Sequence, residues 1–320
     1  MKTASVLVTL AVVVAGLYGY LLWTPTPAMP ALSGDSVHAT MTVGGRERTY
    51  TAYAPAGLEP GAPLLMVFHG SFEDGDTIRR NTGYEFDALA DRHRFAVAYP
   101  DGYQNGWNDC RRMASTPARR ENVDDVGFVQ ALAGSLHARY GIDDRRIYAA
   151  GYSNGGQMVF RLAAEMPERL AAIAAIAANL PGGDDNACAP MGTPLPVLTM
   201  AGTADPISPY AGGEVTIFGF SPRGEVLSAD DTAQTFVRLN GLASATDRRT
   251  LPHQPRSGDT EVIATTYAST GKPPVVQYTI VGGGHVVPTA EHRYRRLVGP
   301  STHDVDAPQV IWDFFTGRAA

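Results

Sequence analysis

The sequence predicts an α/β fold with a mainly parallel central sheet and helices on both of its faces. Strand-like and helix-like segments alternate along the chain, as they do in sheets whose parallel strands are joined by helices. Several strand-like segments are short continuous apolar runs, which indicates strands that are covered on both faces. The chain has 320 residues, of which 44% are hydrophobic, so it is long enough to bury one large core.

The elements are expected in the following order. A hairpin opens the domain, with strands at residues 38–43 and 48–54 around a Gly-Gly pair. Short apolar strands follow at residues 64–68, 95–99, 146–151, 170–178, 197–201 and 275–281. The spacing of apolar residues also predicts helices at residues 124–140, 154–166 and 306–315. The less regular stretches 207–227 and 243–272 are expected to form loops over one end of the sheet.

An uncharged, mostly apolar run occupies residues 4–23, between Lys2 and the next charged residue, Asp35. Twenty such residues can cross a bilayer as a helix, with the positive end in the cytosol. A signal peptide is the alternative, because small residues and prolines follow the run. Both interpretations predict export. We expect a signal peptide or membrane anchor at residues 1–23, a proline-rich linker at 24–40 and a folded domain at 41–318.

Charge and cysteine content restrict the partners and the compartment. The net charge of −6 argues against nucleic acid as the main partner, because phosphate binding requires a positive surface. The two cysteines, Cys110 and Cys188, suit an oxidising compartment. A bridge between them would contribute about 4 kcal/mol in the chain-entropy model. Two unpaired buried thiols are the alternative.

Residues 151–155 read Gly-Tyr-Ser-Asn-Gly and match the G-x-S-x-G pattern of a nucleophile elbow. The five-residue pattern is weak in isolation. Here, however, it falls where a predicted strand ends and a predicted helix begins, which is the sharp turn that holds a serine oxygen clear of the sheet. We therefore predict an α/β-hydrolase fold with Ser153 as the nucleophile.

A serine hydroxyl needs a nearby base, and in this fold an acid and then a histidine follow the serine along the chain. His285 directly follows a predicted strand through three glycines, whereas His292 and His303 lie in polar stretches. We therefore predict that His285 is the base. Asp205 lies four residues after the predicted strand 197–201, so it is the best candidate for the acid that orients the imidazole.

The expected oxyanion hole uses two backbone N–H groups. The N–H of Asn154 lies at the start of a helix, where the helix dipole favours a developing negative charge. The loop after strand 64–68 reads His-Gly-Ser, and the N–H of Ser71 is the predicted second donor. His69 is expected to shape this loop rather than to transfer protons.

The candidates for the substrate pocket are His69, Trp107, Tyr152 and Tyr210. Packing in the core is an equally good interpretation of the three aromatic side chains. The chemistry predicted for this site requires neither a metal nor a cofactor.

Several blocks of residues across positions 45–317 occur in the order found in one known family. They include Phe-His-Gly at 68–70, Tyr-Pro-Asp-Gly at 99–102, Trp-Asn-Asp at 107–109, the elbow at 151–156, Gly-Thr-Ala-Asp-Pro at 202–206 and Gly-Gly-Gly-His at 282–285. With these blocks the chain resembles the polyhydroxybutyrate depolymerases and the feruloyl or acetylxylan esterases. The resemblance implies hydrolysis of a small or oligomeric ester, with the triad at Ser153, Asp205 and His285. Many members carry a Trp-Pro pair just after the catalytic-histidine region, whereas this chain has Val-Val-Pro at 286–288, so a pocket that uses this tryptophan would differ here.

Two other classes of function share these features. A serine peptidase or an acyltransferase would use the same triad, and the fold does not separate them from an esterase. A catalytically inactive α/β-hydrolase could serve as a surface-binding module, but such proteins usually lack a triad residue, and all three positions are filled here. The family resemblance favours the esterase.

Overall fold

The computed structural model describes residues 16–318. Its sheet begins with the expected hairpin, in which β1 (Asp35–Val43) pairs antiparallel with β2 (Arg46–Ala54). Strand β1 starts at Asp35, three residues earlier than predicted. It is an edge strand with alternating exposed and partly buried residues, so no continuous apolar run marks its first residues.

The centre of the sheet consists of short strands that are buried along their whole length. They are β3 (Leu64–Phe68), β4 (Ala96–Pro100), β5 (Ile147–Tyr152), β6 (Ala172–Ile176) and β7 (Val197–Gly202). They pair in parallel in the spatial order β4-β3-β5-β6-β7. Complete burial is expected for parallel strands that helices cover on both sides, and it confirms the prediction from the apolar runs.

The stretch 207–227 was predicted to be a loop, but it contains a separate antiparallel hairpin. Its strands are β8 (Gly213–Ile217) and β9 (Phe220–Val226), and they form a two-stranded sheet. Most of their residues are exposed or partly buried, so the hairpin has no apolar pattern that a sequence would reveal. Ile217 and Phe218 of this hairpin line the same cavity as Ser153, so the hairpin lies near the ends of the central strands.

Three strands complete the main sheet. They are β10 (Asp247–Thr250), β11 (Glu261–Tyr267) and β12 (Val275–Val281). Strand β12 is parallel to β7, whereas β11 and β10 add antiparallel pairs. The order of the ten strands is β1-β2-β4-β3-β5-β6-β7-β12-β11-β10. The prediction of a loop at 243–272 was therefore wrong. Strand β10 is an exposed edge strand without apolar residues, and only two of the seven residues of β11 are buried.

Helices cover both faces of the sheet. The described part of α1 is residues 16–21. The others are α2 (Gly75–Asn81), α3 (Glu85–His93), α4 (Pro117–Arg120), α5 (Asp125–Tyr140), α6 (Asn154–Glu165), α7 (Ala229–Leu239) and α8 (Ala307–Phe315). Apolar residues of α5, α6 and α7 pack in one core cluster, and those of α2, α3 and α8 in a second. Successive side chains of β3 alternate between the two clusters, as the two-residue period of a strand requires.

The predicted leader lies mostly outside the described residues. The apolar run 4–23 has only its last part, from residue 16, within the described chain. Across residues 16–318, no helix combines the length and the apolar character needed to cross a bilayer.

Candidate active site

Ser153 lies at the turn between β5 and α6, and its backbone is strained. Its φ of 54° and ψ of −120° are rarely adopted by residues with a side chain. The turn is tight because strand and helix almost touch: a Cβ on Gly155 would lie 2.2 Å from the backbone oxygen of Phe68, and one on Gly151 would lie 2.3 Å from that of Gly155. Only glycine fits at these two positions, so the sequence pattern and the geometry of the turn are directly connected.

A continuous chain of hydrogen bonds joins three of the predicted site residues. His285 Nε2 lies 2.8 Å from Ser153 Oγ, and His285 Nδ1 lies 2.7 Å from Asp205 Oδ2. The three residues follow three strands of the central sheet: Ser153 follows β5, Asp205 follows β7, and His285 follows β12, which neighbours β7. The histidine and the aspartate carboxylate are buried, whereas Ser153 is partly exposed.

Backbone contacts fix the aspartate and the histidine. Asp205 Oδ1 accepts hydrogen bonds from the backbone N–H groups of Ile207 and Ser208, both at 2.8 Å, which leaves Oδ2 for the imidazole. The N–H of His285 donates to Val298 O at 2.7 Å, and the Tyr152 hydroxyl donates to His285 O at 2.8 Å. His285 is therefore held both by its backbone and by its imidazole ring.

Two backbone N–H groups beside Ser153 suit an oxyanion. Asn154 is the first residue of α6, and an N–H in the first turn of a helix has no acceptor within that helix. The Ser71 N–H lies in the loop after β3 and has no hydrogen-bond acceptor among residues 16–318. Glu73 holds this loop, because its Oε2 accepts a hydrogen bond from Gly70 N at 3.0 Å.

The side chain of Asn154 is part of a buried polar network. Its Oδ1 accepts a hydrogen bond from Trp107 N at 2.8 Å, and its Nδ2 donates to Asp109 Oδ2 at 2.6 Å. Asp109 also forms a buried ion pair with Arg111, whose Nη2 lies 2.5 Å from Oδ2. The network attaches the first residue of α6 to the loop after β4.

A disulfide bridge restrains the same loop. Cys110 and Cys188 are bonded, with their Cα atoms 5.1 Å apart and 78 positions between them in sequence. Cys110 directly follows Asp109, so the bridge restrains the loop that holds Asn154. The bridged alternative of the two considered for these cysteines is the one present.

The structure places His69 and Trp107 in the interior rather than in the pocket. Both are fully buried. Trp107 Nε1 donates to His69 O at 3.0 Å, and Gly102 N donates to His69 Nε2 at 2.8 Å. With Nε2 as an acceptor, the ring carries its proton on Nδ1 and donates to Gly70 O, and burial lowers the pKa of His69. His69 joins two loops as a neutral side chain, and neither residue can touch a substrate in the adjacent cavity.

The cavity beside Ser153 has a volume of about 280 Å³. Of the predicted pocket residues it includes Tyr152, whereas Tyr210 lies elsewhere and bonds to Asp230 and Thr279. Its apolar lining includes Phe72, Ile207, Ile217, Phe218, Leu297 and Val298. Its polar lining includes Glu73, Asn81, His292, Tyr294 and Arg295.

Sequence reasoning missed most of these lining residues. They come from the loop after β3, the end of α2, the loop after β7, the β8–β9 hairpin and the loop after His285, and no local pattern marks them. Glu73 is the most unusual of them, because burial raises the pKa of its carboxyl group to about 7. A larger cavity of about 640 Å³ lies between the proline-rich segment and residues such as Arg92 and His303. No residue of the hydrogen-bonded Ser–His–Asp set borders it, so we assign the chemistry to the smaller cavity.

Comparisons with known proteins point to esterases. Residues 48–257 match the family described as esterase PHB depolymerase. A protein from Nocardia uniformis subsp. tsuyamanensis, named as the esterase NocK, is 31% identical over 307 residues, which cover 92% of this chain and 87% of that protein. Feruloyl esterase C of Emericella nidulans is 27% identical over 85% of this chain and 84% of its own length. A poly(3-hydroxybutyrate) depolymerase of Ralstonia pickettii is 27% identical over 73% of this chain and half of its own length.

One solved structure agrees in its fold. An acetyl xylan esterase from Aspergillus awamori superposes with a TM-score of 0.54 at 15% sequence identity, covering 80% of this chain and 95% of that one. At this identity the similarity establishes the architecture, which is the α/β-hydrolase fold predicted from the nucleophile elbow.

Proposed function

The chain belongs to the polyhydroxybutyrate-depolymerase family of esterases and acts on carboxylic ester bonds; we propose that it does so with a Ser153–His285–Asp205 triad and an acyl-enzyme intermediate. The observation that carries the proposal is the uninterrupted hydrogen-bond chain from Ser153 Oγ through both nitrogens of His285 to Asp205. This is the arrangement that activates a serine hydroxyl in unrelated hydrolase folds.

In the proposed mechanism, Ser153 Oγ attacks the carbonyl carbon while His285 Nε2 takes the hydroxyl proton. The carbonyl oxygen becomes an oxyanion, to which the N–H groups of Asn154 and Ser71 donate. The bond to the alcohol oxygen then breaks, and His285 returns its proton to that oxygen. Water then attacks the acyl carbonyl carbon while His285 takes its proton. The bond to Ser153 Oγ breaks, His285 returns the proton to that oxygen, and the carboxylic acid leaves. Asp205 stays ionised and stabilises the imidazolium, so side chains and water suffice.

The cavity suggests the size of the substrate. A volume of about 280 Å³ lies just below the usual range for small-molecule sites, and part of the lining is apolar. We propose that one side of the ester is a small apolar or aromatic group that packs on this apolar lining. Feruloyl, acetyl-sugar and hydroxybutyrate esters are the candidates, because they correspond to the names of similar proteins.

We also propose that the protein is exported and stays attached to a membrane through residues 4–23. The disulfide supports export, because such bridges persist in oxidising compartments. The apolar run is long enough for a transmembrane helix. Carbonate extraction of membranes from expressing cells tests the attachment. Release of the chain into the supernatant would contradict it.

The enzymatic proposal is tested with the full-length chain, purified in mild detergent, and a short-chain p-nitrophenyl ester. We expect an initial burst of nitrophenol that approaches one equivalent per enzyme, followed by slower turnover, if deacylation is rate-limiting. Ser153→Ala should lower kcat by about 10⁶-fold. Circular dichroism shows whether the variant is folded. Equal turnover by a folded Ser153→Ala variant would refute the triad.

A further inference from the structure

The end of the apolar N-terminal segment lies beside the active site. Leu22 and Thr24 line the same cavity as Ser153 and His285. Just before them, the ring of Tyr20 lies 4.6 Å from the guanidinium of Arg296, and Arg296 Nη1 donates to Tyr20 O at 3.2 Å. The position at which an inserted segment would leave a membrane is therefore fixed at the mouth of the cavity.

The N-terminal segment and the mouth of the cavity together carry most of the large exposed apolar side chains. Of the eleven between residues 16 and 318, four lie on the N-terminal segment and four at the mouth. The first four are Leu17, Tyr18, Tyr20 and Trp23, and the second four are Phe72, Phe218, Phe220 and Leu297. Phe72, Phe218 and Leu297 line the cavity, and Phe220 pairs with Ile217 of its wall. Large exposed apolar side chains that gather around one cavity indicate an interaction surface.

Phe72 is exposed at a cost to the fold. Its side chain is 72% exposed, and its φ of 65° lies in the left-handed region, which is unfavourable for a bulky residue. Its ring stacks on the guanidinium of Arg223 at 5.2 Å and is therefore held outward. The Phe72 N–H donates to Asn105 O at 2.8 Å, which holds the backbone, and the exposed ring is available for contact with an external apolar phase.

The chemistry of the face matches a lipid surface. Tyrosine and tryptophan are enriched where proteins meet the bilayer interface, and arginines near that interface are attracted to anionic headgroups. Arg295 and Arg296 directly precede Leu297. The uncharged stretch from residue 3 to residue 34 supplies the segment that would hold the domain against the membrane.

From this geometry we propose that the mouth of the active-site cavity faces the bilayer entered by residues 4–23, with Phe72, Phe218 and Phe220 in contact with lipid. Esters dissolved in the bilayer then enter the cavity directly from the apolar phase. This inference rests on the proposed esterase function and specifies where its substrate comes from. A cleaved, soluble enzyme that uses the same face on a solid polyester is the competing outcome.

Quenching by brominated lipids tests the orientation. The full-length chain is reconstituted in vesicles of phosphatidylcholine and phosphatidylglycerol, with Trp23→Phe as the background. The remaining tryptophans, Trp107 and Trp312, are fully buried and shielded from the quencher. Phe220→Trp places a reporter at the mouth. Arg145→Trp places the control before β5, at the opposite end of the sheet, where the native side chain is 90% exposed.

We expect brominated acyl chains to reduce the emission of the Phe220→Trp reporter about twofold, with no change for Arg145→Trp. Equal quenching of the two reporters would overturn the proposed orientation. Failure of the full-length chain to sediment with vesicles would also overturn it and would favour the soluble enzyme. Hydrolysis of a water-soluble ester by the same preparation tests the esterase function separately, so the two failures are distinguishable.

A kinetic comparison tests the consequence for the substrate. Phe220→Ser changes an exposed side chain that does not line the cavity. We expect it to lower hydrolysis of a long-chain nitrophenyl ester dissolved in the vesicles by about threefold or more, relative to a short-chain ester in solution. Met29→Ser removes another exposed apolar side chain, one that is not among the residues lining the cavity, and should leave this ratio unchanged. Equal ratios for both variants would contradict delivery from the bilayer.

Discussion

The side-chain amide of Asn154 donates a hydrogen bond to Asp109 Oδ2 at 2.6 Å, across 45 positions of sequence. The first residue after the nucleophile is thereby attached to a loop from a different part of the sheet. Because the proposed oxyanion donor is the backbone N–H of this same residue, the bond controls where that donor points.

Asn154→Ala should therefore reduce catalysis while it retains the backbone donor. We expect kcat to fall about 10- to 100-fold, because small misplacements of catalytic groups have effects of this size, with little change in KM. Asn240→Ala is the matched control. Its amide is equally buried and bonds to Leu195 and Pro273, far from Ser153. The control should lose stability but keep kcat, and a similar kcat loss in both variants would argue against the positioning role.

Asp205→Asn should nearly abolish activity by reversing the histidine tautomer. Oδ1 accepts two backbone N–H groups, so an asparagine would place its oxygen there and turn its NH₂ towards His285 Nδ1. The imidazole would then carry its proton on Nε2 and could not accept one from Ser153. We expect kcat to fall about 10⁴-fold, as in other serine hydrolases.

Asp304→Asn provides the control for this change. Asp304 also accepts hydrogen bonds from backbone and from a histidine, Gln254 N at 2.6 Å and His253 Nδ1 at 3.1 Å, but it lies outside the active site. Its replacement should leave kcat unchanged. Full activity of folded Asp205→Asn in the p-nitrophenyl ester assay would exclude Asp205 from the triad.

Glu73 should make stability depend on pH. Burial raises the pKa of its carboxyl from 4.5 to about 7 in the folded protein, so the folded state binds more protons than the unfolded state between these values. The free energy of unfolding therefore falls as pH rises through this window, by roughly 3 kcal/mol at most for this group. Glu73→Gln removes the ionisation but keeps an acceptor for Gly70 N.

Urea unfolding at several pH values from 4 to 8 measures this difference. The wild type should lose more stability across the window than Glu73→Gln. Glu291→Gln serves as the control, because Glu291 is exposed and Arg256 lowers its pKa through a hydrogen bond and charge attraction. The Glu291→Gln variant should lose as much free energy of unfolding across the pH window as the wild type. Parallel curves for wild type and Glu73→Gln would show that Glu73 does not titrate in this range.

The disulfide should contribute to both stability and activity. A bridge that spans 78 positions is worth about 4 kcal/mol in the chain-entropy model, and we expect a loss of this order in urea unfolding of the Cys110→Ser/Cys188→Ser double variant. We also expect a lower kcat, since Cys110 adjoins Asp109. Dithiothreitol should lower the urea unfolding midpoint of the wild type and leave that of the double variant unchanged. An unchanged unfolding midpoint in the double variant would contradict this prediction.

Much of the architecture could be predicted because its signals are local. Strands β3 and β12 have the predicted bounds, since most of their residues are apolar and buried and the run is recognisable locally. Edge strands were harder to predict from the sequence. All four residues of β10 are exposed, and their pairing with β11 depends on a partner that no local pattern identifies.

The sequence by itself determined the elbow around Ser153 and the candidates Asp205 and His285, because each stands at a recognisable position after an apolar strand and glycines mark the close approaches. Only the tertiary structure decided the surroundings of that site. It moved His69 and Trp107 into the interior and brought Glu73, Phe218 and Leu22 to one cavity. Those contacts join residues far apart in the chain, and they form only when separate loops pack at the same end of the sheet.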